Sequence, residues 1–160
     1  MNVSVLGEAR FPSPQSFFVS DKARVLFNVI VDPEAPPKEE VLFEVAGPRE
    51  NLYFNAKETR AGIVTCGGLC PGINDVIRAI VMEAFHAYNV PSILGIPYGL
   101  EGFIPKYGHV PFELTPSSVA DIHRFGGTML GSSRGPQSPE EIVDTLERSN
   151  VNVLFVIGGD

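Results

Sequence analysis

The sequence lacks the features that mark several classes of protein. Its apolar runs fall far short of the roughly 20 residues that a membrane-spanning helix needs. Basic residues are outnumbered, with 12 Lys and Arg against 19 Asp and Glu, so the formal net charge is −7. A broad nucleic-acid surface requires clustered basic side chains, which this balance does not favour. We therefore expect neither a membrane nor nucleic acid among its partners.

Secretion signals and metal-binding cysteines are also missing. The opening residues MNVSVLGEAR contain neither the basic segment nor the apolar core of a signal peptide, so we expect a cytoplasmic protein. Two cysteines are present, Cys66 and Cys70. Without a second pair of ligands they do not suggest a zinc site, and disulfides are uncommon in the cytoplasm. The simplest interpretation is two small side chains in a tight loop.

Residues 1–58 differ from the rest of the chain. They are rich in proline and contain two plausible strands, at 23–31 and 40–45, separated by a turn at 32–38. We expect a β-rich N-terminal extension that packs on the main domain. Nothing in this region points to chemistry.

Residues 59–160 alternate between strand and helix patterns. Strands are predicted at 61–65, 92–96 and 151–157, and helices near 74–86, 116–125 and 139–148. This alternation predicts an α/β fold with a doubly wound, mostly parallel sheet. The last strand is almost wholly apolar, as expected for a parallel strand buried on both faces. Because the sequence stops directly after it, we expect the first part of a longer nucleotide-binding domain.

The predicted helices carry apolar residues at the three- and four-residue spacing of a buried stripe. In the first helix the stripe comprises Val76, Ile77, Ile80, Val81, Ala84 and Phe85. In the third helix, Ile142, Val143 and Leu146 are expected to face inward, and Ser138 with Glu141 resembles a capping box. Thr115 and Pro116 have the residue types that begin a helix, which supports the second one.

Three segments could carry chemistry. Residues 65–74 place a glycine-rich loop between a strand and a helix start, an arrangement that suits phosphate binding. A tight turn without a ligand would give the same sequence pattern. Arg134 lies among small residues that cannot cover it, so it could fork onto phosphate oxygens or simply be exposed. Asp160 follows a strand, where it could bind Mg²⁺ or serve as a turn residue. Together they supply what phosphoryl transfer requires.

These segments, taken in order, resemble the 6-phosphofructokinase family. Residues 67–78, GGLCPGINDVIR, are similar to its opening signature, and most similar to the plant and protist branch. Residues 126–135, GGTMLGSSRG, resemble a second segment of the family, and residues 156–160, VIGGD, resemble the start of a third.

The resemblance implies a role for each matching residue. Gly67 and Gly68 would line the nucleotide phosphates, and Arg134 with Gly135 would contact ATP. Gly159 would approach the phosphates, and Asp160 would hold Mg²⁺. The family transfers the γ-phosphoryl group of ATP to the 1-hydroxyl of fructose 6-phosphate. Its catalytic base lies in a later segment, so no catalytic residue is expected here.

Two alternatives remain open at this point. The chain could belong to the pyrophosphate-dependent enzyme of the same superfamily, which differs at the position after Asp160. It could also be a nucleotide-binding fragment without catalysis. The resemblance further implies a homo-oligomer, dimeric or tetrameric, as the complete enzyme.

Overall fold

Residues 7–29 and 41–158 are described by a computed structural model of the chain. The chain divides into two units, Met1–Phe54 and Asn55–Asp160. The first unit contains four short strands, β1 (Phe11–Pro12), β2 (Arg24–Leu26), β3 (Leu42–Glu44) and β4 (Asn51–Leu52). They form two antiparallel pairs, β1 with β4 and β2 with β3. Thus β2 and β3 occupy parts of the strands predicted at 23–31 and 40–45, whereas the turn predicted at 32–38 lies outside the described residues.

The second unit contains a four-stranded sheet with a helix on each face. Its elements are β5 (Arg60–Cys66), α1 (Ile73–His86), β6 (Ser92–Ile96), β7 (Phe112–Glu113), α2 (Pro139–Arg148) and β8 (Val153–Gly158). The strand order is β7-β6-β5-β8. β5, β6 and β8 are parallel, and β7 is antiparallel to β6. The predicted mostly parallel α/β fold is confirmed. Neither α-helix in the described residues is long and apolar enough to cross a membrane.

The central strand β5 separates two hydrophobic layers. Successive side chains of a strand point to opposite faces. Ala61 and Ile63 therefore pack in the layer that contains Ile77 and Val81 of α1. Val64 packs in the other layer, against which Ile142 and Leu146 of α2 also pack. Because both faces of β5 are covered in this way, most of its side chains can be apolar.

The apolar stripes of both helices are narrower than the sequence predicts. Val76 and Phe85 of α1 are 45% and 43% exposed, and Val143 of α2 is 50% exposed. Each directly precedes or follows a position that packs on the sheet, and consecutive helix residues lie about 100° apart around the axis. Their side chains therefore turn away from the core, and the expectation that they face inward is wrong.

The helix predicted at 116–125 is absent from this described region. Thr115 does accept a hydrogen bond at Oγ1 from the Ser118 amide (3.1 Å), as a helix cap would. However, the Ser118 hydroxyl donates to the Thr115 carbonyl (3.0 Å), so side chains compete for the backbone groups that a helix would use. Turns follow, and then a short 3₁₀ helix, Ile122–Arg124. Val119 and Ile122 are both buried, and their three-residue spacing suits that tighter geometry.

The strand predicted to be buried on both faces is β8, and this prediction is also wrong. Within the described residues β8 lies at the edge of the sheet and pairs with β5 alone. Val156 is 54% exposed. The side chains of β8 are half-buried or exposed, although the strand is almost wholly apolar.

Candidate functional site

The glycine-rich loop leaves β5 at the carboxyl end of the parallel strands. There it meets the segment at 126–134, which runs between the 3₁₀ helix and α2. The amide of Gly67 donates to the Ser133 carbonyl (3.2 Å), and the Ser132 hydroxyl donates to the Gly67 carbonyl (2.7 Å). These reciprocal bonds hold together two segments that are far apart in the sequence.

A cleft of about 500 Å³ opens between the two segments. Its lining consists of Gly67, Gly68, Leu69, Gly126, Gly127, Thr128, Gly131, Ser132, Ser133 and Arg134. Such a volume is typical of small-molecule sites, which range from roughly 300 to 1,000 Å³. The lining residues include one cation and no carboxylate, so the cleft suits an anionic ligand.

Arg134 and Gly68 lie close together on the cleft wall. A Cβ atom placed on Gly68 would be 3.7 Å from Nη2 of Arg134, so any side chain there would occupy the space beside the guanidinium. Within residues 7–29 and 41–158, no hydrogen bond or ion pair holds the Arg134 side chain. Its positive charge is therefore available to a ligand.

The structure places three of the six site residues named from the sequence in this cleft: Gly67, Gly68 and Arg134. Gly135 follows Arg134 and is exposed, but it is not among the lining residues. Gly159 and Asp160 lie outside the described residues. The binding role of each of these residues stays a prediction.

Two residues that support the cleft were not singled out from the sequence. Thr65, at 1% exposure, donates from Oγ1 to the Gly131 carbonyl (2.6 Å), and its hydroxyl lies 3.0 Å from that of Thr128. Asn74, at 3% exposure, is hydrogen-bonded to the backbone of residues 125 and 129. Thr65 is a polar residue within an apolar strand, and Asn74 is a polar residue at a buried helix start. Both positions could have indicated a structural role from the sequence, since buried polar groups require partners.

Cys66 lacks the activation of a catalytic thiol. Burial raises the pKa of the Cys66 thiol, and a hydrogen bond from the Leu100 backbone only partly offsets this effect. A raised pKa disfavours the reactive thiolate. Cys66 and Cys70 are both free thiols. The part of the chain that the structure describes also contains no cluster of three His, Cys, Asp or Glu residues suited to a metal.

The fold and the cleft define a class. This is a doubly wound α/β protein whose candidate ligand site lies at the carboxyl ends of its parallel strands, where ligands bind in such sheets. Comparison with known proteins then identifies the family. The Phosphofructokinase family profile matches residues 60–160. The chain belongs to the phosphofructokinase family.

Individual relatives agree with this assignment. The chain is 45% identical over 168 aligned positions to the ATP-dependent 6-phosphofructokinase of Borreliella burgdorferi, covering 99% of the chain and 38% of that protein. It is 54% identical to the enzyme of the same name from Trypanosoma cruzi, covering 75% of the chain and 25% of that protein. Thus the chain spans well under half of the curated relatives that it matches.

Solved structures support the fold. Phosphofructokinase from Pichia pastoris superposes with a TM-score of 0.55 at 24% identity, covering 63% of this chain and 11% of that one. A pyrophosphate-dependent phosphofructokinase from Marinobacter aquaeolei also gives a TM-score of 0.55, at 16% identity, covering 63% of this chain and 26% of that one. At these identities the likeness concerns architecture alone.

Proposed function

We infer that the chain forms the nucleotide-binding part of an ATP-dependent 6-phosphofructokinase. The reaction would transfer the γ-phosphoryl group of ATP to the 1-hydroxyl of fructose 6-phosphate and give fructose 1,6-bisphosphate. The main support is that Gly67, Gly68 and Arg134 line one cleft at the carboxyl ends of the strands. The names of the curated relatives favour ATP as the donor.

The cleft suits the charge of a polyphosphate. Glycines at 67 and 68 leave room for phosphate oxygens to approach the backbone, and Arg134 can donate two parallel hydrogen bonds to them. Fixed donors of this kind need no rearrangement as negative charge redistributes during phosphoryl transfer. We assign Gly135 and Gly159 to the same nucleotide on the basis of the sequence resemblance.

The magnesium part of the proposal rests on the sequence. Asp160 would hold Mg²⁺, which takes carboxylate and phosphate oxygens as ligands and would screen the charge of the phosphates. The proposal contains no catalytic residue from these 160 residues. We therefore expect this chain alone to bind nucleotide without turning over fructose 6-phosphate.

Location and assembly belong to the same proposal. We propose the cytoplasm from the sequence, although two Arabidopsis thaliana relatives, 46% identical over 142 residues and 50% identical over 115, are named chloroplastic. A homo-oligomeric enzyme follows from the family resemblance.

Calorimetric titration of the chain with Mg·ATP tests the proposal. Arg134→Gln should weaken binding by about ten-fold or more, because a hydrogen bond between charged groups is lost. Arg148→Gln is the matched control, because Arg148 lies on α2 and bonds the Asp144 carbonyl rather than the cleft. Its affinity should be unchanged.

Two results would contradict the proposal. One is no binding of Mg·ATP by the wild-type chain, and the other is an equal loss in both variants. Titration with pyrophosphate tests the alternative donor, since tight binding of pyrophosphate alone would replace ATP in the assignment.

A further inference from the structure

We propose that the turn at residues 126–128 is an oxyanion-binding element of the cleft, and that Asn74 is the residue that positions it. The inference deepens the proposed function, because it assigns phosphate oxygens to a second set of donors facing the glycine loop at 67–69. It concerns main-chain groups that the sequence motifs alone do not single out.

The hydrogen bonding of this segment changes abruptly along the chain. The Met129 amide donates to Oδ1 of Asn74 (2.8 Å). The Leu130 amide donates to Oγ1 of Thr128 (3.1 Å), and the Gly131 amide donates to the Thr128 carbonyl (3.2 Å). The three preceding amides, at 126–128, donate to no acceptor among residues 7–29 and 41–158. All three belong to residues that line the cleft. Consecutive free amides in a cleft that also contains the Arg134 guanidinium form a setting that favours anions.

Asn74 holds both ends of this turn from the first turn of α1. Its Nδ2 donates to the Phe125 carbonyl (2.9 Å), and its Oδ1 accepts from the Met129 amide (2.8 Å). The side chain is 3% exposed, so these bonds are shielded from water. The residues between the two anchors are left with free amides. An amide side chain suits this position, because it donates and accepts at once, whereas a carboxylate only accepts.

Thr65 supports the same turn from the sheet. Its hydroxyl lies 3.0 Å from that of Thr128 and donates to the Gly131 carbonyl (2.6 Å). The turn is thus fixed from both the central strand and the helix. Pre-formed donors lose little freedom when a ligand binds, which favours a small, highly charged group such as a polyphosphate.

Amide NMR of the wild-type chain tests the inference directly, with inorganic triphosphate as the probe. We expect saturable ¹H–¹⁵N shift changes at residues 126–128 that are as large as those at Gly68 and Leu69, whereas the Gly67 amide already donates to the Ser133 carbonyl. The already bonded amides at 129–131 should shift less. If 67–69 respond and 126–128 do not, the inference is wrong while the proposed function stands. If neither segment responds to triphosphate or to Mg·ATP, the proposed function fails as well.

The role of Asn74 is tested by Asn74→Asp. The matched control is Asn152→Asp, because Asn152 also bonds the backbone, accepting from the Arg60 amide (2.9 Å), but does so at the opposite ends of the strands. Triphosphate affinity should fall about ten-fold in Asn74→Asp and stay unchanged in Asn152→Asp.

The shift pattern separates positioning from general destabilisation. In Asn74→Asp the response of residues 126–128 should vanish while that of 67–69 persists at saturation. An unchanged response at 126–128 would refute the positioning role. If Asn74→Asp does not fold, Asn74→Ala, which removes both bonds without adding a charge, is measured in the same way, with the same loss expected at 126–128.

Discussion

Replacing Gly99 with alanine tests how tightly the wall of the cleft is packed. Gly99 has φ +58°, and a Cβ atom there would lie 2.7 Å from Oγ and 2.8 Å from the amide nitrogen of Ser133. It would also lie 3.1 Å from the carbonyl oxygen of Thr65. Two of these three atoms are backbone, and Thr65 is on the central strand. The added methyl group therefore cannot be accommodated by rotating a side chain.

The expected loss has two parts. The left-handed conformation costs an alanine about 1–2 kcal/mol, partly offset by about 0.4–1 kcal/mol from the stiffer unfolded chain. Overpacking adds about 1–3 kcal/mol. Gly108 separates the two parts, because its φ is +71° and a Cβ atom there would have nothing within 4 Å. We expect Gly108→Ala to lose about 1 kcal/mol and Gly99→Ala about 2–4 kcal/mol of unfolding free energy.

Urea denaturation followed by circular dichroism measures both losses. The denaturant slope should be the same in wild type and both variants, so that the midpoints report stability. Gly99→Ala should also weaken triphosphate binding, because Ser133 must shift and it precedes Arg134. Equal destabilisation by the two substitutions would show that the close contacts at Gly99 carry no energetic weight and would refute this reasoning.

Three further predictions concern other parts of the second unit. Ser138→Ala should lower the free energy of unfolding, measured by urea denaturation, by about 1 kcal/mol, because the Ser138 hydroxyl caps α2. The same hydroxyl lowers the pKa of Glu140, so the stabilising effect of the carboxylate is present above its ordinary pKa and lost as pH falls through the lowered value. NMR titration should show this pKa rising in the variant, and an unchanged value would contradict the assignment. Arg60→Met should lower the free energy of unfolding in urea by about 2 kcal/mol, because it removes hydrogen bonds that link the strands to one another and to the end of α2. A loss below about 0.5 kcal/mol would show that this half-exposed network is largely solvated. Iodoacetamide at pH 8 should label Cys70 before Cys66, whose pKa is raised by burial, and the reverse order by mass spectrometry would oppose this.

Elements with strong local signals could be predicted from the sequence. α2 begins and ends where Pro139 and Arg148 predict, and Ser138 accepts a bond from the Glu141 amide (3.3 Å). The carboxylate bonded at this cap is that of the neighbouring Glu140, which accepts from the Ser138 hydroxyl (2.7 Å). Caps and helical periodicity depend on residues a few positions apart, so they are readable without tertiary structure.

Features that depend on distant contacts were harder to predict. The segment at 116–125 has the start signals of a helix, yet serine hydroxyls divert its backbone into turns. β7, with two residues, is too short to give a pattern. Glycine motifs indicated which loops could share a cleft with Arg134, but not which side chains hold them. The bonds of Asn74 cross 51 and 55 positions, a separation that no local pattern contains.

The order of pairing in the sheet has a consequence for how the chain is built. β5 is synthesised first among the parallel strands, and its partner β8 enters the sheet across a separation of 92 residues, as the bond between Arg60 and Asn152 records. During synthesis on the ribosome, the edge of β5 that pairs with β8 therefore stays unpaired until nearly the whole second unit has emerged. During that interval its backbone edge is open to wrong partners. This strand order would therefore affect how strongly folding depends on chaperones, rather than the stability of the folded protein.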